Sequence, residues 1–331
     1  MKKVIFVVFI LLTGFWSCSQ SDDNNNVPDD YVNVVIGTES GEIGNESSRP
    51  KSIIEPGGTT SWNIKDTVCV VDVDGVIQKF VYADETPKTS AKFTGKLRSR
   101  QGSRLYRAYH VPEKSKVTLR DAHILTIERE NLDITESGIM YNSVLFGSYC
   151  PMVGIPVEFD ADNINGTKPF QFYHLTTMIE GRVSLREDKD IEFLDKLFDK
   201  VTFEVQATNS TPFYTKIEVD LNKLNADSKV ENLNECFLNL NELSGKTNYM
   251  YTTMNMRERT IRELMKEYES LGSFPIPIFA LPTADSFEYT ATITFYSGNT
   301  LQLKMQGSAE ASRLNPVGLN VLNFDHDKII R

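Results

Sequence analysis

The stretch 287-FEYTATITFYSGNTLQLKM-305 decides how this chain reads. Phe287, Tyr289, Ala291, Ile293 and Phe295 alternate with Glu288, Thr290, Thr292 and Thr294, so one face is apolar and the other polar. A period of two puts successive side chains on opposite faces of a strand, the pattern of a sheet with one face on a core. Ser297-Gly298-Asn299 reads as a turn, after which Leu301, Leu303 and Met305 alternate with Gln302 and Lys304. The pair predicts an antiparallel hairpin.

The same alternation recurs in both directions. Val68 to Tyr82, VCVVDVDGVIQKFVY, predicts a second hairpin that turns at Asp74-Gly75, because Gly tolerates the positive φ of a tight turn. The DVDG string lacks the third ligand and the distal Glu of a calcium loop. Further strands are expected at 105–110, 123–127, 144–149, 170–185, 201–205, 214–219, 248–253 and 274–279. Short strands with turns between them favour antiparallel sandwiches over βαβ layers. Two helical stretches interrupt them. Ile261, Leu264, Met265, Tyr268 and Leu271 form an apolar stripe at helical spacing, and Asp190 to Lys200 is a shorter candidate.

A chain of 331 residues suits two domains, and 40% hydrophobic residues can build packed cores. The polar run Asp160 to Lys168 is the expected division. It separates an N-terminal sandwich, 31–165, from a C-terminal one, 166–331.

The N-terminus reads as an export signal. Lys2 and Lys3 precede an apolar run, Val4 to Leu12, that is too short to cross a ~30 Å bilayer as a helix. Residues 1–17 lead into Cys18, an arrangement that resembles a bacterial lipoprotein signal with Cys18 as the acylated residue. Residues 18–30 are acidic and Asn-rich, the composition of a flexible tether. Its Ser21-Asp22-Asp23 resembles the acidic surface-export tag of Bacteroidetes-type lipoproteins.

Composition also excludes. A net charge of -10 repels phosphate backbones, so nucleic acid is not an expected partner. There is no G-x-S-x-G, no G-x-x-x-x-G-K-S/T and no H-E-x-x-H. His110, His123, His174 and His326 are scattered, and His174 reads as a structural strand residue. Asp72, Asp74, Asp160 and Asp162 read as turn residues. Cys69, Cys150 and Cys236 allow at most one disulfide and carry no CxxC metal motif. The expectation is a non-enzyme with no cofactor and no metal.

Several motifs in order resemble the fimbrillin family, the pilus subunits and fimbrillin-like lipoproteins of Bacteroidetes-type bacteria. They are Cys18, then SWNIKDTVCVV from Ser61 with its W-x-x-x-D spacing, RLYRAYHVP from Arg104, FQFYHLTTMIEGRVSL from Phe170, and IFALPTADSFEYTATITFYSG from Ile278. The resemblance implies an all-β protein of two transthyretin-like antiparallel β-sandwich domains in tandem. It implies a surface-exposed outer-membrane lipoprotein or fimbrium component, held to the membrane by lipid on Cys18.

It also implies assembly with other fimbrial subunits by strand exchange and a contribution to cell adhesion through host or bacterial surface ligands. Proteolysis would remove the first strand, YVNVVI, whose Val32, Val34 and Ile36 are expected to face the core. A C-terminal strand carrying Val317, Leu319 and Val321 would replace it in the next subunit. Arg49 and Lys51 are the candidate cleavage points, although Pro50 follows Arg49. The alternative is a non-polymerising surface lipoprotein that binds glycans or other extracellular ligands.

Overall fold

The computed structural model describes residues 31–40, 53–54, 60–112, 115–128, 132–134, 150–164, 167–228, 235–238, 245–281, 286–298, 300–309 and 319–330. The protein is all-β. Seven strands close into a barrel in the spatial order Tyr31–Ser40, Phe170–His174, Met152–Phe159, Arg104–His110, Thr67–Val71, Ile77–Tyr82 and Ala91–Arg98. Closure removes the open edges a flat sheet would leave. The one parallel contact in the barrel is between its first and last strands in sequence.

The predicted hairpin at Val68–Tyr82 forms, with Thr67–Val71 paired to Ile77–Tyr82. Asp72 builds its turn: one carboxylate oxygen accepts from the Asp74 and Val76 N–H groups, both at 2.9 Å. Gly75 has φ 77°, and a side chain there would overlap the Ala122 methyl. The Asp72 carboxylate is thus spent on the backbone, as the turn reading requires. The W-x-x-x-D spacing has a similar cause. Asp66 accepts from the Asn63 N–H at 2.7 Å, and the resulting turn sets Trp62 fully inside the barrel. There its ring meets Phe93 edge-on at 5.0 Å and Phe172 at 5.3 Å.

Beyond the barrel lies a sandwich. Its larger sheet runs in the order Leu132–Ile134, Tyr249–Thr260, Leu197–Ala207, Phe287–Tyr296, Leu301–Ala309 and Ile329–Ile330. The facing sheet holds Phe274–Ala280, Thr177–Val183 and Leu319–Phe324. Phe203, Ile293, Phe295 and Phe324 are fully buried between them. A Cβ on Gly181 would stand 3.1 Å from both Phe203 and Ile293, so that glycine lets the layers approach. The 287–305 hairpin is present with nine residue pairs from Phe287↔Ala309 to Phe295↔Leu301.

The helical stripe becomes helix Ile261–Glu267, opened by a capping box between Thr260 and Glu263. Ile261 and Leu264 are fully buried. The shorter candidate shrinks to one turn, Ile191–Leu194. The strand Leu197–Ala207 then takes over, since pairing on both sides outweighs helical spacing.

The expected strand 170–185 is two strands. Phe170–His174 belongs to the barrel and Thr177–Val183 to the sandwich, with the break at buried Leu175 and Thr176. Pairing crosses the 165/166 line elsewhere too. Leu132–Ile134 pairs in the larger sandwich sheet, and Ile124–Glu128 pairs with Lys216–Asp220. The Asp160 to Lys168 run contains a tight turn, with Asp162 N–H donating to the Asp160 carboxylate at 3.0 Å. The expected strand at 144–149, the signal, the tether and the cleavage points Arg49 and Lys51 lie outside the described residues, as does Cys18.

Candidate strand-exchange site

Two chain segments carry the expected exchange, and each is held differently. The first strand lies in the barrel seam. Val34 is 0% and Ile36 3% exposed, Val32 packs at the edge of the same core, and Val35 between them is 45% exposed. The alternation expected of Val32, Val34 and Ile36 is present. Burying Val34 and Ile36 contributes roughly 3–6 kcal/mol, an upper estimate.

The strand's two edges are unequal. Toward Ala91–Arg98 it makes eight consecutive residue pairs, Tyr31↔Arg98 to Thr38↔Ala91. Toward Phe170–His174 it makes three, Thr38↔Phe170 to Ser40↔Phe172. Gly37 rests on Pro169, where a Cβ would come to 3.3 Å, and the Thr38 hydroxyl donates to the Ala91 carbonyl at 3.2 Å. The core it covers is aromatic: Trp62, Phe93, Phe170 and Phe172 are all buried.

The C-terminal segment is fastened at three points. Leu319–Phe324 runs parallel to Thr177–Val183 over six residue pairs. It is the edge of that three-stranded sheet. Its home-facing residues are Leu322 and Phe324, with Phe324 fully buried and edge-on to Phe203 at 6.0 Å. Val321 stands opposite Glu180 in the register, on the other face of the strand, and is half-buried. Val317 and the Leu319 side chain lie outside the described residues.

His326 follows, its Nδ1 in contact with the carboxylate of Asp190. Asp190 is fully buried, and its other oxygen accepts from the Arg186 N–H at 2.7 Å. Ile329–Ile330 then pairs with Gln302 and Leu303. Beside this tail an open groove of about 430 Å³ is lined by Lys304, Met305, Gln306, Asp327, Lys328 and Ile329, among others.

Sequence reasoning missed the Asp190–His326 contact and the buried Glu180. The latter, 0% exposed, is bonded by Arg182 at 2.8 and 2.7 Å, a pair two residues apart on one strand. Of the histidines, His110 is buried with Nδ1 2.7 Å from the Thr67 carbonyl, and His174 is buried at the end of its strand. Asp74 pairs with Arg98 at 3.7 Å and with Arg100. Burial pushes the Cys236 thiol up to about 12, as it does the Tyr109 hydroxyl, and both are therefore protonated at neutral pH. Cys69 and Cys150 are likewise buried.

No family model matches this chain, and no curated protein matches it. Solved structures do resemble it. A candidate cell adhesion protein from Bacteroides uniformis is 11% identical, with 92% of this chain and 96% of that one covered at a TM-score of 0.47. A second such protein, from Bacteroides ovatus, is 9% identical over 81% of this chain and 85% of that one, at 0.45. A fimbrial protein from Bacteroides vulgatus is 10% identical over 88% and 95%, at 0.39. Scores under 0.5 at such identities leave function to be argued from this chain's own residues.

Proposed function

We propose that this chain is a fimbrial structural or accessory subunit, exported as a lipoprotein on Cys18, that assembles by strand exchange and contributes to adhesion at the outer surface of the cell. The observation that carries the reading is the seam strand Tyr31–Ser40. It is the first strand among the described residues, and its loss would open a groove lined by aromatic side chains. One edge of that groove is the full Ala91–Arg98 backbone. Unpaired backbone beside exposed apolar surface recruits a replacement strand. The motif order from Cys18 to the 278–298 element supports the same reading.

The proposed donor is the segment carrying Val317, Leu319 and Val321, which has the same two-residue apolar spacing. Val321 stands beside Glu180 on the face of the strand opposite Leu322 and Phe324, which take the home core. Release requires Phe324 to leave its core and the His326 contact to break. Exchange is therefore slow until the segment opens.

The test is truncation before Ser52. The truncated chain is expected to form oligomers on size-exclusion chromatography, and removing residues 317–331 should abolish them. Truncated protein that stays monomeric with its C-terminal strand intact refutes the assembly. Mass spectrometry of the native N-terminus separates the two roles. An acylated Cys18 marks an anchored subunit, whereas a start near residue 50 marks a fibre subunit.

A further inference from the structure

Leu301–Ala309 is paired unequally on its two sides. Toward Phe287–Tyr296 it pairs along its whole length. On the other side, among the described residues, Gln302 meets Ile330 and Leu303 meets Ile329, and there the pairing stops. The groove beside the tail opens along the next part of this edge, at Lys304, Met305 and Gln306. Lys304, Gln306 and Ser308 are exposed, and Met305, Gly307 and Ala309 are half-buried. An open strand edge recruits another strand unless something blunts it. Two other edges of this fold are blunted. Phe274–Ala280 carries Pro275 and Pro277, which have no N–H to offer, and Lys116–Arg120 has an exposed cation at each end. The 304–309 edge has no proline, and its one charge, Lys304, stands at its end.

We infer that this edge pairs antiparallel with the same edge of a second copy of the chain, about a two-fold axis at Gly307. The register follows from the fold. Directly opposed residues of an antiparallel pair share a face, so Met305, Gly307 and Ala309 oppose one another, as do Lys304, Gln306 and Ser308. Ile329 already fills the place opposite Leu303, which stops the partner strand short of it. The longest register left sets Ala309 of one copy against Met305 of the other, Ser308 against Gln306, and Gly307 against Gly307. The Tyr289 ring lies across Gly307, where a Cβ would stand 2.7 Å from its hydroxyl, so bare backbone at the axis lets the copies close. Ser308 and Gln306 face each other on the solvent side, where polar cross-strand pairs stabilise a sheet.

Charge fits the same register. Glu310 follows Ala309 in the sequence, so each copy brings a carboxylate opposite the other's Lys304. Asp327 and Lys328 offset each other in the groove, and Glu288 lies one strand inward, beside Ser308, across from the neutral Gln306 of the second copy. The pairing joins two six-stranded sheets into one and closes on itself, so it ends at a dimer. It leaves Tyr31–Ser40 and Leu319–Phe324 at home, and therefore stands apart from strand exchange.

The experiment uses the chain from residue 18 onward with Cys18→Ser and the first strand in place, in sedimentation velocity over a concentration series. A weak dimer that dissociates on dilution, with no larger species, is expected of an interface this short. K304E sets carboxylate against carboxylate at both ends of the strip, and E310K sets ammonium against ammonium. Each should weaken the dimer about 10-fold, and K304E/E310K should restore it to within about 3-fold of the parent. Register is read by disulfide trapping in air: Q306C mixed with S308C should cross-link more than either alone. Gln306 and Ser308 are exposed, and Cys69, Cys150 and Cys236 are buried.

A chain that stays monomeric at every concentration overturns the pairing, as do charge reversals that change nothing. A mixture of Q306C and S308C that cross-links no better than each alone overturns the register. A dimer that persists on dilution is an exchanged-strand dimer, which overturns edge pairing and leaves the fimbrial reading standing.

Discussion

Val34 and Val35 are adjacent, identical in chemistry and opposite in environment, so one substitution made at each position tests the seam. Val34 is fully buried in the barrel core and Val35 is 45% exposed. Thr keeps the β-branched shape and replaces a methyl by a hydroxyl. At Val34 the change loses the transfer of about one methyl group, ~0.8 kcal/mol, and buries a hydroxyl at a further cost of ~1–3 kcal/mol. A net loss of about 2–4 kcal/mol is expected. At Val35 the hydroxyl stays in water and the change should fall within about 0.5 kcal/mol.

Trp62 makes the assay local. It lies wholly inside the barrel, and Trp16, the other Trp, is absent from a chain beginning at residue 18. Its fluorescence in urea therefore reports the barrel alone. With a urea slope of about 2 kcal/mol per molar, V34T should lower the midpoint by roughly 1–2 M and V35T by less than ~0.3 M. Equal shifts, or a larger one at Val35, would mean that the strand sits in the seam with the opposite face inward. The groove argument would then fail.

Two ion-pair contacts give further expected outcomes. The Lys116 ammonium beside Glu128, 2.5 Å away, holds that carboxyl below the usual carboxylate range. A depressed folded pKa gives stabilisation that is present above the unfolded value of about 4.3 and is lost as pH falls through the folded one. Lys116→Met should therefore lower stability at neutral pH, and the gap to the parent should close on acidification below about pH 4, read from denaturation midpoints against pH. His326→Ala removes the contact to buried Asp190. Leaving the buried Asp190 oxygen without this partner, at a cost of about 2 kcal/mol, should speed amide exchange in 319–330 by roughly 30-fold and leave the barrel unchanged. No change in that segment would show that the contact does not fasten it.

What was legible in the sequence tracks how local its cause is. The 287–305 hairpin and the Asp74-Gly75 turn each follow from neighbours in sequence, and both are present. The helix at 261–267 had an apolar stripe at helical spacing, set by near neighbours in sequence. The seam residues Val34 and Ile36 were readable because alternation alone sets which side is inward.

The 170–185 stretch misled for a long-range reason. Its apolar character persists, but its partners change from Met152–Phe159 to Phe274–Ala280 within three residues. The same limit applies at the C-terminal strand. Leu322 and Phe324 take the home core, and that phase is set by Thr177–Val183, far away in sequence. The Asp190–His326 contact spans 136 residues and left no mark on spacing.

The unequal fastening of the two ends has a mechanical meaning. A pull along the first strand loads eight backbone pairs lengthwise at once, so they share the tension and must fail together. A pull on the last residues first meets Ile329 and Ile330 at their two partners, which peel away one after the other before the His326 contact and the 319–324 strand are loaded. Under a shearing flow the tail of this protein yields first, while the barrel seam keeps its grip.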